Sequence, residues 1–229
     1  RRLLGRAGPA GAARAARGGR GRGAAALDLS VGAPSDPFAR WPKQFLILPE
    51  GFRAPPPWDA APVRARLAGW RVLAAPAVPV VPVRGAEGAE IGVLIGWAIL
   101  GGRLLGQGDA VELPPGGSVK ADVLADLGGR AVCLWRAAEG VVLELDSAGF
   151  LPAVFASDAG IVAASSGLLA EVSPRPAEAE VAAIHEFPRR RGYLPFGLTH
   201  HRGVARLLPG HRLALDSMAA RRVWPPPQL

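Results

Sequence analysis

The sequence predicts an α+β fold that is built mainly from antiparallel strands. Between residues 128 and 164, four short apolar segments follow one another and are separated only by tight, Gly-containing turns. Connections of this length are too short for a crossover helix, so these segments are expected to form an antiparallel meander. Helices are indicated elsewhere, because Asp59 and Ser118 can cap apolar residues at helical spacing and Pro176 can open a helix.

The individual elements are expected in the following order. Strands are predicted at residues 44–48, 70–74, 80–83, 91–100, 131–135, 141–146, 153–156, 161–164 and 212–215. Helices are predicted at residues 59–67, 119–127 and 177–187, and Pro188 ends the last one. The run 91–100 is rich in β-branched residues, which favours a buried strand. The three arginines at 189–191 are interpreted as a solvated helix end or, alternatively, as a phosphate or partner patch.

The formal net charge of +8 belongs to the N-terminal end of the chain. Residues 1–23 contain seven Arg and no acidic residue, so the remaining 206 residues carry 20 basic and 19 acidic side chains. This pattern predicts a disordered Arg/Gly/Ala tail over residues 1–23, one folded domain over residues 24–220 and a Pro-rich tail over residues 221–229. Nucleic-acid binding would depend on the RGG-like tract 17–23 alone, so nucleic acid is not an expected partner.

The composition favours a cytoplasmic protein that has no membrane partner. The single cysteine, Cys133, excludes an internal disulfide, as is usual in a reducing compartment. The longest apolar run, 91–100, is about half of the ~20 residues that a membrane-spanning helix needs. Residues 1–23 lack the apolar core of a secretory signal. The excess of Arg over Lys is typical of a GC-rich, bacterial-type coding sequence.

Two segments of the chain resemble one protein family. In the first, residues 130–134, 145–149, 152–155 and 164–166 follow the order of a "Gly-x-Phe-Ala" strand, an "Arg-Asp-x-x-Gly" turn, a "Pro-Leu-Tyr-Tyr" strand and an "Ala-Ser-Glu" ending. In the second, residues 203–213 (GVARLLPGHRL) are similar to "Gly-Ile-x-x-Leu-Pro-Pro-Gly-His-x-Leu". Both motifs resemble the N-terminal glutaminase domain of asparagine synthetases, a class II glutamine amidotransferase.

The resemblance implies a fold and a partner. The fold would be a four-layer αββα sandwich of two antiparallel sheets, as in N-terminal-nucleophile (Ntn) hydrolases, over residues 24–220. The partner would be an ATP-dependent synthetase domain or subunit that activates a carboxylate and is not part of this chain. The loop that binds ATP pyrophosphate in that partner, "Ser-Gly-Gly-x-Asp-Ser", is not matched by SSGLL at residues 165–169, which lacks the second Gly and the Asp.

The residues that hydrolyse glutamine in this family have no counterpart in the sequence. The family uses an N-terminal Cys, whose thiolate attacks the amide while its own α-amino group serves as base. Residue 1 is Arg, and Cys133 is expected to be a buried thiol in a strand. The nearest tract to the glutamine-binding loops, GQGD at residues 106–109, is expected to be a plain turn. The chain is therefore predicted to be a degenerate domain without catalytic or cofactor-binding residues and without a cofactor.

The four histidines do not predict a metal site. His200 and His201 are adjacent and would point to opposite faces of a strand, so they cannot readily share a metal ion. His211 matches the Pro-Gly-His turn and is interpreted as structural, and His185 is expected to lie on the helix 177–187.

Other functions fit the same residues. One is an active amidotransferase, or asparagine synthase fragment, whose start is misassigned so that the nucleophilic Cys is missing. Another is a non-enzymatic interaction module, with or without an RNA-binding Arg/Gly tail. A glutaminase assay separates the first from the rest, and salt-dependent binding through residues 1–23 would indicate the RNA-binding form.

Overall fold

Residues 36–184, 194–195 and 197–225 are described by the computed structural model of the chain. All of them belong to the unit Pro34–Leu229, one of the two units into which the chain divides. The predictions for the tail 1–23, for His185 and for the arginines at 189–191 fall outside the described residues. Within the described ranges, none of the helices combines the length and the apolar character that crossing a membrane requires.

The described residues form fourteen strands and four helical segments. The strands are β1 (Phe45–Pro49), β2 (Val63–Leu67), β3 (Trp70–Ala74), β4 (Val80–Arg84), β5 (Glu90–Leu100), β6 (Arg103–Leu104), β7 (Val111–Glu112), β8 (Gly128–Ala137), β9 (Gly140–Leu145), β10 (Val154–Ala156), β11 (Ile161–Ala163), β12 (Ala205–Arg206), β13 (His211–Ala214) and β14 (Ala219–Arg222). The helical segments are α1 (Ser166–Val172), α2 (Ala179–Ile184), a 3₁₀-helix at Trp58–Ala60 and a π-helix at Val119–Leu124.

The strands form two sheets. The six-stranded sheet has the order β12-β10-β11-β1-β3-β2, and every pair in it is antiparallel. The eight-stranded sheet has the order β14-β13-β9-β8-β5-β4-β7, with β6 paired to β5. Its pairs are also antiparallel except that of β4 with β7, where Val83 lies opposite Val111 in a parallel register. The prediction of an α+β fold with two mainly antiparallel sheets is confirmed at this level.

The eight-stranded sheet is buried on both faces, because side chains alternate between two cores along each central strand. On β8, Val132 and Leu134 belong to a large core that also contains β1, β3, β10 and β11 of the other sheet. Their neighbours Ala131 and Cys133 belong to a smaller second core on the opposite face, which includes Val123 of the π-helix. One core therefore contains residues of both sheets, and the π-helix covers part of the face that lies away from it.

The expected four-stranded meander over residues 128–164 is wrong, because its two hairpins lie in different sheets. Strands β8 and β9 pair within the eight-stranded sheet, whereas β10 and β11 pair within the six-stranded sheet. The connection through Asp146 and Gly149 carries the chain from one sheet to the other. Tight turns alone do not reveal that change, because a short connection can also turn a corner between two sheets.

The predicted helix at residues 59–67 is also wrong, because residues 63–67 form a hairpin with β3. Leu67 pairs with Trp70, which leaves a two-residue turn of Ala68 and Gly69 with φ of 46° and 84°. Positive φ at both positions is the geometry of the turns that match the twist of a hairpin. The Asp59 carboxylate accepts only the amide N–H of Ala60, at 2.9 Å, beside the short 3₁₀-helix.

The remaining helices depart from expectation in length and number. Ser118 caps the π-helix as predicted, since its hydroxyl accepts the amide N–H of Ala121 at 3.2 Å, but that helix ends at Leu124 rather than at residue 127. The described part of the helix predicted at 177–187 is α2. Helix α1 was not predicted, although Ser165 caps it and Leu168, Leu169 and Val172 bury one face. Strand β14 includes residues 221 and 222, at the start of the segment expected to be a Pro-rich tail.

A glycine in the middle of β5 allows the two central strands to approach closely. Gly96 has φ of +105°, and a Cβ there would lie 2.7 Å from Leu151 Cδ2 and in collision with the carbonyl oxygen of Arg130. We expect Gly96→Ala to lower the free energy of unfolding by about 3 kcal/mol, because backbone strain and overpacking add. Urea denaturation measures the change.

Two glycines serve as controls for Gly96→Ala. Gly88 has φ of +75° with open space around it, so Gly88→Ala tests the backbone strain alone and is expected to cost about 1 kcal/mol. Gly51 has open space and no positive φ, so Gly51→Ala is expected to change stability by less than about 0.5 kcal/mol. Equal effects at Gly96 and Gly88 would contradict the packing described around β5.

Candidate functional site

The only cysteine of the chain lies in the middle of a central strand. Cys133 pairs with Leu94 of β5 on one side and with Glu144 of β9 on the other, and its side chain is fully buried in the second core. Burial, with a smaller contribution from the charge of Glu144, raises the pKa of the Cys133 thiol far above its ordinary value. The prediction of a buried strand thiol is confirmed, and this side chain is not a thiolate at neutral pH.

The turn that resembles "Arg-Asp-x-x-Gly" is fixed by its aspartate. The Asp146 side chain is 2% exposed, and its Oδ1 accepts the amide N–H groups of Ala148 at 3.0 Å and of Phe150 at 3.3 Å. Its Oδ2 accepts the amide N–H of Ala131 at 3.4 Å. This carboxylate therefore satisfies backbone donors at the end of β9, which is a structural role.

Residues 145–155 and residues 203–213 meet where the chain crosses between the sheets. The first segment crosses from β9 to β10 and the second crosses back from β12 to β13. The crossings touch at Gly149, where an added Cβ would lie 2.7 Å from Pro209 Cγ. The amide N–H of Leu207 also donates to the carbonyl of Ala153, at 2.9 Å. Residues that are far apart in the sequence are thus brought together beside these two crossings.

A cavity of about 470 Å³ lies next to this junction, and we call it the Arg212 cavity. Three segments line it: the π-helix and the residue after it, the end of β9 with its turn, and the C-terminal strands. Its lining residues are Lys120, Leu124, Ala125, Glu144, Leu145, Ser147, Gly210, His211, Arg212, Val223 and Trp224. The volume lies within the range of small-molecule sites in proteins.

The wall of the cavity contains a buried ion-pair network. Arg212, which is 8% exposed, donates from Nε to Glu144 Oε1 at 2.8 Å and from Nη1 to Glu139 Oε1 at 2.7 Å. Glu139 also forms an ion pair with Arg221. The Arg212 guanidinium lies 5.1 Å from the centroid of the Trp135 ring. These contacts fix the orientation of the guanidinium, so this part of the wall is rigid.

The network shifts the protonation equilibria of its members. A backbone hydrogen bond and then the hydrogen bond from Arg212 hold the pKa of Glu139 below its ordinary value. Burial by itself would lower the pKa of Arg212, but the hydrogen bonds and charges of Glu139 and Glu144 outweigh that effect and raise it. Arg212 is therefore a permanent cation at physiological pH, and together with Arg221 it balances the charges of Glu139 and Glu144.

The tract at residues 106–109 forms a turn, as expected, and lines a second cavity of about 320 Å³. Within the turn, Asp109 Oδ2 accepts the amide N–H of Gly106 at 2.7 Å. Arg64 of β2 donates from Nη2 to Gln107 Oε1 at 2.5 Å. Gln107 is thus held by an arginine from the six-stranded sheet, while Asp109 closes its own turn and pairs with Arg103.

The described histidines lie apart from one another except for the adjacent pair. His200 and His201 are in a loop rather than on a strand, so the expectation of opposite strand faces is wrong, and His201 forms only an isolated bridge with Ala177. Burial, and then the neighbouring His200, lower the pKa of His201. His211 begins β13 beside the Arg212 cavity, with Nδ1 3.2 Å from the Pro209 carbonyl oxygen. No group of three His, Cys, Asp or Glu side chains suited to a metal ion occurs among the described residues.

The Arg212 cavity was not anticipated from the sequence, although a signal exists. Glu144 and Arg212 interrupt apolar strands at positions that alternation assigns to a covered face, and a charge at such a position requires a partner of opposite sign. If the strands that contain Glu144 and Arg212 had been predicted to pair, this ion pair would have been expected.

No protein-family model matches the chain, and no curated protein matches it.

Removing the arginine is expected to leave the Glu144 carboxylate without a counter-ion, whereas Glu139 keeps Arg221. We expect Arg212→Met to lower the free energy of unfolding at pH 7 by about 3 kcal/mol, because the Glu144 side chain is 14% exposed and loses its partner. Arg221→Met is the matched control, since Arg221 also pairs with Glu139 but its side chain is 63% exposed. That control is expected to cost less than about 1 kcal/mol. Equal losses, measured by urea denaturation, would contradict the network described here.

Proposed function

We propose that this chain is an amidotransferase-type domain, related to the N-terminal domain of asparagine synthetases, that retains the scaffold and does not hydrolyse glutamine. One observation carries the proposal: the only thiol of the chain, Cys133, is fully buried in the middle of β8. In this function the domain packs on an ATP-dependent synthetase domain or subunit and supports it without supplying ammonia.

The chemistry of the family cannot be performed by Cys133. An N-terminal nucleophile needs a thiolate and a free α-amino group on the same residue. Cys133 has peptide bonds on both sides and pairs with strands on both sides, so it has no free amine. Its raised thiol pKa also leaves a negligible thiolate fraction near neutral pH.

The described segment before the first strand is packed against the rest of the domain. Phe38 is 1% exposed and packs edge-on against Trp58, with ring centroids 5.1 Å apart. Trp41 donates from Nε1 to Glu171 of α1 at 2.9 Å. Strand β1, which lies in the middle of the six-stranded sheet, is therefore preceded by a packed segment. Its first residue, Phe45, is joined to that segment by a peptide bond and so has no free α-amino group.

The scaffold part of the proposal is a four-layer αββα sandwich of the Ntn-hydrolase type. It is supported by the single core that contains residues of both sheets, by the contacts of α1 with β10 and β11, and by the π-helix on the other face of the eight-stranded sheet. The positions retained from the family motifs, such as Asp146, Gly149 and Pro209, all have structural roles at the crossings between the sheets.

The proposed function predicts that the purified chain releases no ammonia from glutamine. Full-length protein is incubated with glutamine, and ammonia is measured against the Cys133→Ala variant and against buffer. All three are expected to give the same rate, because the only thiol in the sequence is buried and protonated.

Ammonia release that saturates with glutamine and disappears in Cys133→Ala would assign the nucleophile to that residue and refute the proposal. Saturable release that survives in Cys133→Ala would refute it as well, since another group would then be the nucleophile. If the chain does not copurify with any ATP-dependent synthetase, the partner part of the proposal is refuted, while the predicted lack of glutaminase activity is unaffected.

A further inference from the structure

The proposed function makes no use of the Arg212 cavity, although this cavity is the larger of the two described above. We propose that it binds a small organic anion with a flat, apolar body. The inference rests on the volume of the cavity, on an aromatic side chain held at its rim and on a lysine without a partner of opposite charge.

The rim of the cavity has an exposed indole whose backbone is fixed. Trp224 is 73% exposed, which is an unusual environment for so large an apolar surface. The amide N–H groups of Val223 and Trp224 both donate to the carbonyl of Gly210, at 2.8 Å and 3.0 Å. A Cβ at Gly210 would collide with the carbonyl oxygen of Trp224, so the glycine allows this close approach. The indole is thus held beside the cavity rather than carried on a loose end.

The apolar lining continues on the other walls. Leu124 of the π-helix, Leu145 at the end of β9 and Val223 are each half-buried. Together with the Trp224 ring they provide apolar surface from three separate segments of the chain. A flat hydrocarbon or heteroaromatic body matches such a lining, because it buries apolar area and can stack on the indole.

The charge of the lining favours an anion. Arg212 and Arg221 together balance the charges of Glu144 and Glu139, so the ion-pair network has no net charge. Lys120, on the π-helix, is exposed and has no hydrogen bond or ion pair to any described residue. The acidic side chain nearest to it along the π-helix, Asp122, accepts the amide N–H of Ser118 at 2.6 Å and so belongs to the helix cap. Among the lining residues, Lys120 is therefore the cation that no ion pair compensates.

A pair of fluorescent probes that share one aromatic body tests the proposal. 8-Anilinonaphthalene-1-sulfonate carries a sulfonate, and N-phenyl-1-naphthylamine has the same body without it. We expect both to bind the full-length chain saturably. Lys120→Ala is expected to weaken sulfonate binding about fivefold and to change binding of the neutral probe by less than about twofold. Trp224→Ala is expected to weaken both about tenfold.

Matched controls exist for both substitutions. Lys43→Ala removes the only other lysine of the chain, which is exposed and does not line the cavity. Leu104→Ala removes another exposed apolar side chain, 60% exposed, on β6. Neither control is expected to alter binding, and probe bound to the Arg-rich N-terminal residues is the same in every variant. Both lining residues are exposed, so their substitution leaves the melting temperature unchanged.

The result that would overturn the proposal is sulfonate binding that changes less than twofold in both Lys120→Ala and Trp224→Ala. Equal weakening of the two probes by Lys120→Ala would also overturn it, because the lysine would then act through packing and not through charge. Loss of sulfonate binding in Lys43→Ala or Leu104→Ala would place the site elsewhere and contradict it.

Discussion

The burial of the eight-stranded sheet on both faces is the constraint on which the rest of the structure depends. Side chains of β5, β8 and β9 alternate between the core that contains residues of both sheets and the second core beneath the π-helix. A charged side chain that is buried on these strands therefore needs a partner of opposite charge, which explains why Glu144 and Arg212 occur as an ion pair. Burial itself raises the pKa of the Cys133 thiol and keeps it protonated.

Because the sheet is buried on both faces, its interior is packed, and the Arg212 cavity lies toward one edge. Where the chain crosses between the two sheets, Asp146 satisfies backbone donors and Gly149 packs on Pro209. Toward the edge formed by β13 and β14 lies the Arg212 cavity, which is lined by apolar side chains and by the ion pair of Arg212 with Glu144. The described part of the chain thus combines a closely packed interior with a lined cavity near one edge of the eight-stranded sheet.

Much of the fold follows from local sequence patterns. The strands around Trp70, Val80, Cys133 and Val141 were predicted within a few residues of their observed bounds, because their apolar runs end at turn residues. The helix expected over residues 59–67 is wrong because the pairing of Leu67 with Trp70 overrides local spacing. Helix α1 was missed although its cap and apolar face are visible in the sequence.

Local sequence patterns predicted neither how the two sheets are connected nor where the candidate site lies. A tight turn has the same residues whether it joins neighbouring strands or crosses between sheets, so the division of the hairpins at Asp146 was not predicted. The Arg212 cavity is built from segments near residues 120, 145 and 212, which come together only through the crossings. The buried state of Cys133 was predictable, since it follows from an apolar strand alone.

The rate at which Cys133 reacts with a thiol reagent in the native protein tests the central claim most directly. Because the chain has one cysteine, the reaction gives a single mass shift. The account predicts that labelling in the absence of denaturant requires global unfolding, so that the free energy derived from labelling equals the free energy of unfolding from urea denaturation. Labelling that is faster by orders of magnitude, at the rate of an exposed thiol, would contradict a fold in which this strand is buried on both faces.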